Sequence, residues 1–511
     1  MNRAEKRRQR KLSKKAARVT KPVQSASSSP DQQTLTIQQA IDRAVQHHNA
    51  GRLPEAESIY QQILQADPNQ PVALHLLGVI AHQMGKYDIA VDLITKALAI
   101  KPDYADAHSN LGNALKELGK PDEAVASYHK ALAIKPDYAE AHSNLGIALK
   151  ELGKLDEAVA SYHKALAIKP DYAEAHSNFA MTLISCGRQS EALGHFQSHL
   201  DIERGDNPIN PQHESFRFIT KAKMNHDIEQ FKYLASLGPE TERFLVLAKL
   251  YEAIDTEIDW PNVENMKIPL RDDHRQRLQP TYNRPIHIPE TPMVTGSSLS
   301  SDLDVKKITA DYFTHASGMT FFDDLLCPDA LASLRRLLLG GTMWFDFKYK
   351  GGYLGAMLKD GLACPLLLQI ADDLCQTFPD IFKNHHLNQL WAYKYDSRLA
   401  GIDVHADFAA INVNFWVTSD KANLNPETGG LVVYDVGAPL DWNFKMYNEN
   451  AKGIRKYLAD HESGKIVVPY GENRIVLFNS NLFHETDAID FKPGYENRRI
   501  NITMLFGKRT D

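Results

Sequence analysis

Two histidines, one aspartate and one arginine near the C-terminal end of the chain have the residue types of a metal site. His405 and Asp407 form an H-x-D triplet in VHADFAAINVNFWV. On an extended strand their side chains point to the same side. A lone triplet means little, because about one arises by chance in a chain of this length. His484 follows an apolar run and an NSN turn, and Arg499 comes 15 residues later, so the triplet is not alone.

This residue set suits one particular metal chemistry. Two imidazoles and one carboxylate on one face hold Fe(II) and leave coordination positions for a 2-oxo acid and dioxygen. The distal carboxylate of 2-oxoglutarate then needs a buried cation, and arginine offers a planar fork for it. In RRINITMLF, alternation places Arg499 on a polar face with Asn501 and Thr503, whereas Arg498 shares the apolar face. Arg499 and Asn501 are therefore the predicted co-substrate contacts.

The same segments resemble a known enzyme family. KYDSRLAGIDVHAD, ETGGLVVYD and RINIT match the motifs of 2-oxoglutarate/Fe(II)-dependent oxygenases of the prolyl-hydroxylase-like type, over about 200 residues from near Lys306 to Lys508. The resemblance implies a double-stranded β-helix (jelly-roll), hydroxylase activity, Fe(II) and 2-oxoglutarate, with ascorbate as a reductant. It also implies that Tyr395, ten residues before His405, lines the co-substrate pocket.

The segment APLDWNFKMYNENAKGIRKYLADHESG lengthens the chain between Asp407 and His484 beyond the usual family spacing. It is interpreted as a lid that contacts substrate or as a solvated surface insertion. Candidate substrate contacts within it are Trp442, Tyr447 and Arg455, and His461 is expected at the surface. Asn414 and Trp416 share one face of their strand, where they border the pocket or pack in the core.

Earlier in the chain, an internal repeat with a period of 34 residues dominates. Pro68, Pro102, Pro136 and Pro170 keep this interval, as does a series of glycines: Gly51, Gly85, Gly119, Gly153 and Gly187. Apolar residues recur at helical spacing between them, which predicts pairs of packed helices. The pattern resembles the tetratricopeptide repeat, with about four units and a degenerate fifth from Ile37 to Glu203. Such units stack into a solenoid with a concave binding face.

Asn110, Asn144 and Asn178 also lie one period apart. The repeats are most similar to the superhelix of the protein O-GlcNAc transferases. In that superhelix an asparagine row on the concave face binds peptide backbone, because an amide can form the same hydrogen bonds as a strand edge. The alternative is that these asparagines only satisfy contacts between helices. The first repeats have Asp42 and Leu76 at the equivalent positions, so any such row covers part of the solenoid.

Bulk composition restricts the remaining possibilities. The 511 residues carry a net charge of -6 and need more than one hydrophobic core. No apolar run reaches the roughly 18 residues of a membrane-spanning helix. The first 21 residues hold ten Lys or Arg with Glu5 as the single acid, without the apolar stretch of a secretory signal. Nucleic-acid contact is therefore expected only through this tail, and membrane association is not expected.

Four cysteines without C-x-x-C spacing indicate reduced thiols and a cytoplasmic protein. They are Cys186, Cys327, Cys364 and Cys375.

These observations predict a multidomain α + β protein, an α-solenoid followed by a jelly-roll domain with supporting helices. The predicted parts are a disordered basic tail (1–33), the repeat solenoid (34–204), a helical cap (205–257), a linker (258–304) and the oxygenase domain (305–511). The predicted function is hydroxylation of a residue in a protein or peptide held by the repeats. Two alternatives stay open: the same chemistry on a small molecule, with the repeats used for protein contacts, or a non-enzymatic scaffold.

Overall fold

The structure is a computed structural model, and it describes residues 36–263, 265–315, 317–347, 352–383, 385–396 and 401–509. The predicted basic tail, 1–33, lies outside the described residues. The chain divides into two compact units, Met1–Pro102 and Asp103–Asp511. The later repeats thus share a unit with the C-terminal region.

The described part of the first unit contains four helices. They are α1 (Ile37–Asn49), α2 (Leu53–Ala66), α3 (Pro71–Gln83) and α4 (Tyr87–Ile100). Thr36 caps α1 with a capping box, in which its side chain accepts from the Gln39 amide and the Gln39 side chain accepts from the Thr36 amide. Buried Tyr60 packs among small residues such as Ala44 and Ala73, which lets the helices approach closely.

Six further helices open the second unit in three antiparallel pairs. They are α5 (Ala105–Glu117), α6 (Pro121–Ile134), α7 (Ala139–Glu151), α8 (Leu155–Ile168), α9 (Ala173–Ser185) and α10 (Gln189–Arg204). Gly119 and Gly153 end helices at φ of 71° and 72°, a conformation that favours glycine. Gly146 has a different role, because a Cβ there would lie 2.8 Å from the Tyr162 ring. The period of 34 therefore predicted the helix pairs correctly.

The next segment contains short helices and strands and two longer helices. Its elements are α11 (Glu214–Arg217), β1 (Phe218–Ile219), α12 (Lys221–Ser236), α13 (Thr241–Glu257), β2 (Ile268–Pro269) and α14 (Asp272–Leu278). Residues 258–304 were predicted to be a linker draped over one domain, and within them β2 pairs with β1, and Leu270, Leu278 and Tyr282 enter the same core as the helices α12 and α13. The apolar residues that do this are spaced too irregularly to show a period.

The remaining chain forms a sheet-containing region. Its helices are α15 (Val305–Thr314), α16 (Pro328–Gly340), α17 (Pro365–Thr377), α18 (Pro379–Phe382), α19 (Phe444–Tyr447) and α20 (Ala451–Asp460). Its strands are β3 (Met319–Phe322), β4 (Leu354–Met357), β5 (Leu387–Tyr395), β6 (Ile411–Trp416), β7 (Leu431–Gly437), β8 (Lys465–Val468), β9 (Ile475–Asn479), β10 (Leu482–Thr486) and β11 (Arg499–Phe506).

These strands form two antiparallel sheets. One has six strands in the order β3-β9-β6-β11-β5-β4, and the other has three in the order β10-β7-β8. A shared core contains Val476 and Phe478 from the larger sheet and Leu431 and Val433 from the smaller one. All six residues of β6 are buried, since this central strand is covered on both faces. Within the described residues, no helix is long and apolar enough to span a bilayer.

Candidate metal centre

Backbone pairing joins the two candidate histidine ligands. His405 and His484 form an isolated antiparallel bridge, in which the His405 amide donates to the His484 carbonyl at 3.0 Å and the reverse bond measures 2.8 Å. Their imidazole centroids are 4.3 Å apart. Residues 79 positions apart in the chain thus become direct neighbours.

Asp407 completes a cluster of three donor groups. Its two carboxylate oxygens lie 3.8 Å from Nε2 of His405 and 3.4 Å from Nε2 of His484. One ligand atom from each side chain lies within 4.8 Å of the others. Because metal–ligand bonds measure about 2.0–2.2 Å for such donors, one divalent ion fits between these atoms after small side-chain adjustments. Asp407 and His484 are buried, whereas His405 is half-buried.

The outer nitrogen of each imidazole is held by a backbone carbonyl. Nδ1 of His405 lies 2.8 Å from the Asp403 carbonyl, and Nδ1 of His484 lies 3.0 Å from the Leu482 carbonyl. Each Nδ1 is therefore assigned as the N–H donor, which leaves the Nε2 lone pair directed at the cluster. Burial, with the neighbouring His484, lowers the pKa of His405 and favours the neutral imidazole that a metal requires.

The Asp407 carboxylate has the ionisation state and the orientation that a metal ligand would need. Burial alone acts to raise its pKa, but its interactions with His484, His405 and Asn412 outweigh burial and lower the pKa overall. Its Oδ2 accepts a 2.7 Å hydrogen bond from Nδ2 of Asn412. The carboxylate therefore stays ionised and has a fixed orientation.

A buried chain of amides connects this aspartate with Arg499. Asn412 accepts from Nδ2 of Asn414 at 2.5 Å, and Asn414 in turn accepts from the Thr503 hydroxyl at 2.8 Å and from Asn501 at 3.4 Å. The antiparallel register of β6 and β11 places Asn414 directly opposite Thr503. Alternation in both strands thus builds one polar face beneath the cluster.

Arg499 is a buried cation at the other end of this polar face. Its Nε and Nη2 donate to the Gly429 and Gly430 carbonyls at 2.6 and 3.1 Å, and its guanidinium lies 4.8 Å from the centroid of the Tyr395 ring. Among the described residues, no carboxylate oxygen lies within ion-pair distance of it. Burial lowers its pKa, yet an arginine keeps its proton. The site therefore holds a buried positive charge without a direct ion pair among the described residues, and Asp487 acts on it only from beyond ion-pair distance.

One cavity of about 610 Å³ brings the predicted site residues together. Its lining includes all six of them: Tyr395, His405, Asp407, His484, Arg499 and Asn501. Tyr353 packs 5.1 Å from Tyr395 and extends the aromatic wall. Asn414 also lines the cavity, whereas Trp416 packs in the core between the sheets.

The long insertion contributes different residues from those predicted. Phe444, Asn448 and Glu449 line the cavity. Asn448 donates to the Ala406 carbonyl at 2.9 Å, and the Ala406 amide donates to the Tyr447 carbonyl at 2.9 Å, so α19 is fixed against the H-x-D triplet. Tyr447 itself is buried.

The other two candidates from this insertion also have structural contacts. Trp442 packs against Phe483 and Tyr457. Arg455 pairs with Asp403 and with Glu485, both at 2.6 Å. Asp403 precedes His405 by two residues and Glu485 follows His484 directly, so Arg455 ties the two ligand segments together. His461 is exposed, as expected, and contacts the Tyr457 ring.

Comparisons with known families bear on the repeats. The family model described as TPR repeat matches residues 80–119 and 112–153, and the model described as Tetratricopeptide repeat matches residues 139–172. These residues are tetratricopeptide repeats.

Three solved structures match part of the chain. TTC0263, a thermophilic TPR protein in Thermus thermophilus, is 27% identical, with a TM-score of 0.30, over 32% of this chain and 91% of that chain. YrrB, described as a TPR protein with an unusual peptide-binding site, is 24% identical, with a TM-score of 0.29, over 32% and 86%. MamA from Desulfovibrio magneticus RS-1 is 20% identical, with a TM-score of 0.30, over 33% and 94%. No curated protein matches the chain.

In the tetratricopeptide repeats, part of the predicted asparagine row is hydrogen-bonded to other residues of the repeats. Asn113 donates to Asn110 at 3.5 Å and accepts from Asn144 at 3.1 Å and from the Tyr128 hydroxyl at 2.7 Å. Asn178 differs, because its side chain lines a cavity beside the sheet region. The contact between helices thus accounts for part of the row, and Asn178 stays a candidate for ligand contact.

A second group of potential metal ligands has another explanation. Glu257, Asp273 and His274 also cluster, but Arg277 lies 2.8 Å from the Glu257 carboxylate and Arg271 lies 3.0 Å from that of Asp273. These guanidinium groups already neutralise the two exposed acids, so the carboxylates form an ion-pair network beside the buried His274.

Proposed function

We propose that the protein is an Fe(II)- and 2-oxoglutarate-dependent dioxygenase that hydroxylates a residue of a polypeptide held by the repeats. The observation that carries this proposal is the pairing, in one cavity, of a two-histidine, one-carboxylate donor set with a buried arginine that has no carboxylate partner among the described residues. Fe(II) fits the donor set, and a dicarboxylate that chelates the metal at one end supplies the missing anion at the other.

The described residues have separate roles in this proposal. His405, Asp407 and His484 hold Fe(II), which when bound supplies the oxygen chemistry that converts 2-oxoglutarate to succinate and CO₂. Arg499 binds the distal carboxylate of 2-oxoglutarate, and Tyr395 packs on the guanidinium face. Asn501 and Asn414 join these two ends through the buried amide chain and limit their motion. Ascorbate serves as a reductant that keeps the iron ferrous.

The sheet arrangement supports a double-stranded β-helix domain. Two antiparallel sheets enclose one core, and the donor residues lie on β10 and in the loop before β6. Arg499 opens β11, which is the neighbour of β6. This placement gives a rigid floor for the cavity.

A polypeptide substrate is favoured by the repeats themselves. Tetratricopeptide repeats present extended surfaces that bind other proteins. Part of this surface lies in the same compact unit as the metal cavity. Four free cysteines favour a reducing compartment such as the cytoplasm.

The test is an anaerobic titration calorimetry experiment on the full chain. We expect one Fe(II) per chain, and 2-oxoglutarate binding only after the metal is present, because chelation needs both ends. His484→Ala should abolish metal binding, and Arg499→Lys should weaken 2-oxoglutarate while sparing the metal. The proposal would be contradicted if 2-oxoglutarate bound equally well with and without metal, or if both variants bound it as tightly as the wild type. The scaffold function would then remain.

A further inference from the structure

A second cavity lies beside the metal centre within the unit Asp103–Asp511. Its volume is about 470 Å³, and it is formed by repeat helices on one side and by β5 on the other. Lys150 of α7 and Asn178 of α9 line the repeat side, and Trp391 and Lys508 line the sheet side. Lys508 donates to the Glu151 carbonyl at 3.2 Å, so the chain end that follows β11 contacts the repeats directly.

The two cavities share one wall. Met357, Gln389, Trp391 and Phe408 line both the cavity at the repeats and the cavity at the metal centre. Phe408 follows Asp407 directly and is 50% exposed, so its ring is accessible at the shared wall. A ligand that crosses this shared wall can therefore contact the repeats and the candidate metal centre simultaneously. An extended polypeptide has the required shape, since its side chains alternate and its backbone is continuous.

The repeat-side cavity is positively charged. Its charged lining residues are Lys150, Lys359, Lys508 and Glu151. Burial, together with nearby Lys508, lowers the pKa of Lys150 to about 8. Among the described residues, no carboxylate oxygen lies within ion-pair distance of the Lys150 ammonium. A carboxylate from a ligand would restore a favourable environment for this charge.

We propose that the substrate polypeptide runs across the shared wall and places an acidic side chain at Lys150 and Lys508, while a residue further along it enters the metal cavity. Asn178 then lies beside the backbone of the same peptide, and the exposed Phe408 ring covers its apolar side chains. The inference rests on the proposed function for the reaction at the metal, but the acidic binding position can be measured without that reaction.

The test is a selection from a displayed library of random twelve-residue peptides on the full-length protein. The expected result is enrichment of Asp or Glu at one position of the selected peptides. The affinity of the best peptide is then measured against its analogue with alanine at that position, for the wild type and for Lys150→Met. We expect the acid to strengthen binding about tenfold in the wild type, about 1.4 kcal/mol, and not in the variant.

Lys116→Met is a matched control. Lys116 occupies the equivalent position 34 residues earlier, but it pairs with Glu117 at 2.7 Å and lies outside this cavity lining. This variant should keep the preference for the acidic peptide. Lys150→Arg should also keep it, which separates charge from packing.

The outcomes distinguish this inference from the proposed function. His405→Ala should select the same acidic peptides, because it leaves the repeat-side cavity intact. Selection without an acidic preference, an unchanged preference in Lys150→Met, or no enriched peptide at all would overturn the inference, even if 2-oxoglutarate is turned over. Acid-selected peptides without any turnover would overturn the proposed function and leave the binding position standing.

Discussion

The polar groups around Asn113 in the repeat helices and those at the candidate metal centre in the sheet region differ in what surrounds them. In the repeats, the Asn113 side chain accepts hydrogen bonds from the Tyr128 hydroxyl and from the Asn144 side chain. In the sheet region, Arg499 and the Nε2 atoms of His405 and His484 face a cavity that can hold a ligand. Polar side chains that are hydrogen-bonded to each other stabilise the fold, whereas polar side chains that face a cavity are available to bind a ligand. Each prediction below tests one side of this contrast.

The largest effect is expected at the metal ligands. Asp407→Ala removes the carboxylate between the two imidazoles, and we expect Fe(II) affinity to fall more than about 100-fold, beyond the loss typical of supporting residues. Thermal unfolding followed by circular dichroism should show that the helices remain folded. His461→Ala is the control, because this exposed histidine contacts the Tyr457 ring and lies outside the cavity lining, so the metal affinity should equal the wild-type value.

Arg499→Lys should give the next largest effect. A lysine cannot reproduce the planar fork, so we expect the KM for 2-oxoglutarate to rise about 30-fold or more with unchanged Fe(II) affinity. Arg498→Lys is the matched control, because the neighbouring Arg498 pairs with Glu229 at 2.9 Å and Asp396 at 3.5 Å. It should lower thermal stability and leave the KM unchanged. Equal effects of both substitutions on the KM would remove the assigned role of Arg499.

At two glycines of the repeats, the expected effects concern stability alone. Gly146→Ala places a Cβ 2.8 Å from the Tyr162 ring and should lower stability by about 1–3 kcal/mol through overpacking. Gly153→Ala meets no atom within 4 Å and should cost about 1 kcal/mol, because φ there is 72°. Urea unfolding measured by circular dichroism compares the two. Fe(II) affinity should stay at the wild-type value in both variants. A loss of Fe(II) affinity in either variant would show that the repeats and the candidate metal centre are not independent.

Much of the architecture follows from the sequence because it repeats or alternates. The period of 34 predicted the helix pairs, and apolar alternation marked β5, β6 and β11. The residue types at 405, 407, 484 and 499 pointed to one cavity before any geometry was available. Their roles as ligands and as the 2-oxoglutarate contact stay predictions.

Other features depend on information that local patterns do not carry. Asn412 donates a hydrogen bond to Asp407 because the H-x-D loop folds back onto β6. Residue spacing in the sequence does not predict this contact. Phe444 and Asn448 reach the cavity because the Ala406 amide donates to the Tyr447 carbonyl and the Asn448 side chain donates to the Ala406 carbonyl. Residues 258–304 looked like a linker because their core contacts, such as Tyr282, are isolated in the sequence and have long-range partners.

Arg455 offers a smaller and more subtle test. Arg455→Gln breaks the contacts with Asp403 and Glu485, and we expect about threefold weaker Fe(II) binding, since the pair with Asp403 is exposed and worth little by itself. Lys456→Gln is the control, because Lys456 pairs with Asp460 on the same helix, away from the ligands. Partial recovery in Arg455→Lys would support a positioning role. Identical affinities in all three variants would show that Arg455 only anchors the insertion.

The smallest effect is a pH dependence at the repeat-side cavity. The pKa of Lys150 is lowered to about 8, so its ammonium form is populated below that pH and lost above it. Lys508, Glu151 and Cys186 face the same group. Affinity for the acid-selected peptide should therefore fall severalfold between pH 7 and pH 9. The profile should be flatter in Lys150→Met and unchanged in Lys116→Met, and a flat wild-type profile would contradict the assignment.

The most direct test of the central claim is succinate release from 2-oxoglutarate by the full chain in air, with Fe(II) and ascorbate. We predict steady release that disappears in His405→Ala and in the absence of iron. If the protein binds no iron and releases no succinate, or if His405→Ala releases as much as the wild type, the three side chains do not form a catalytic centre.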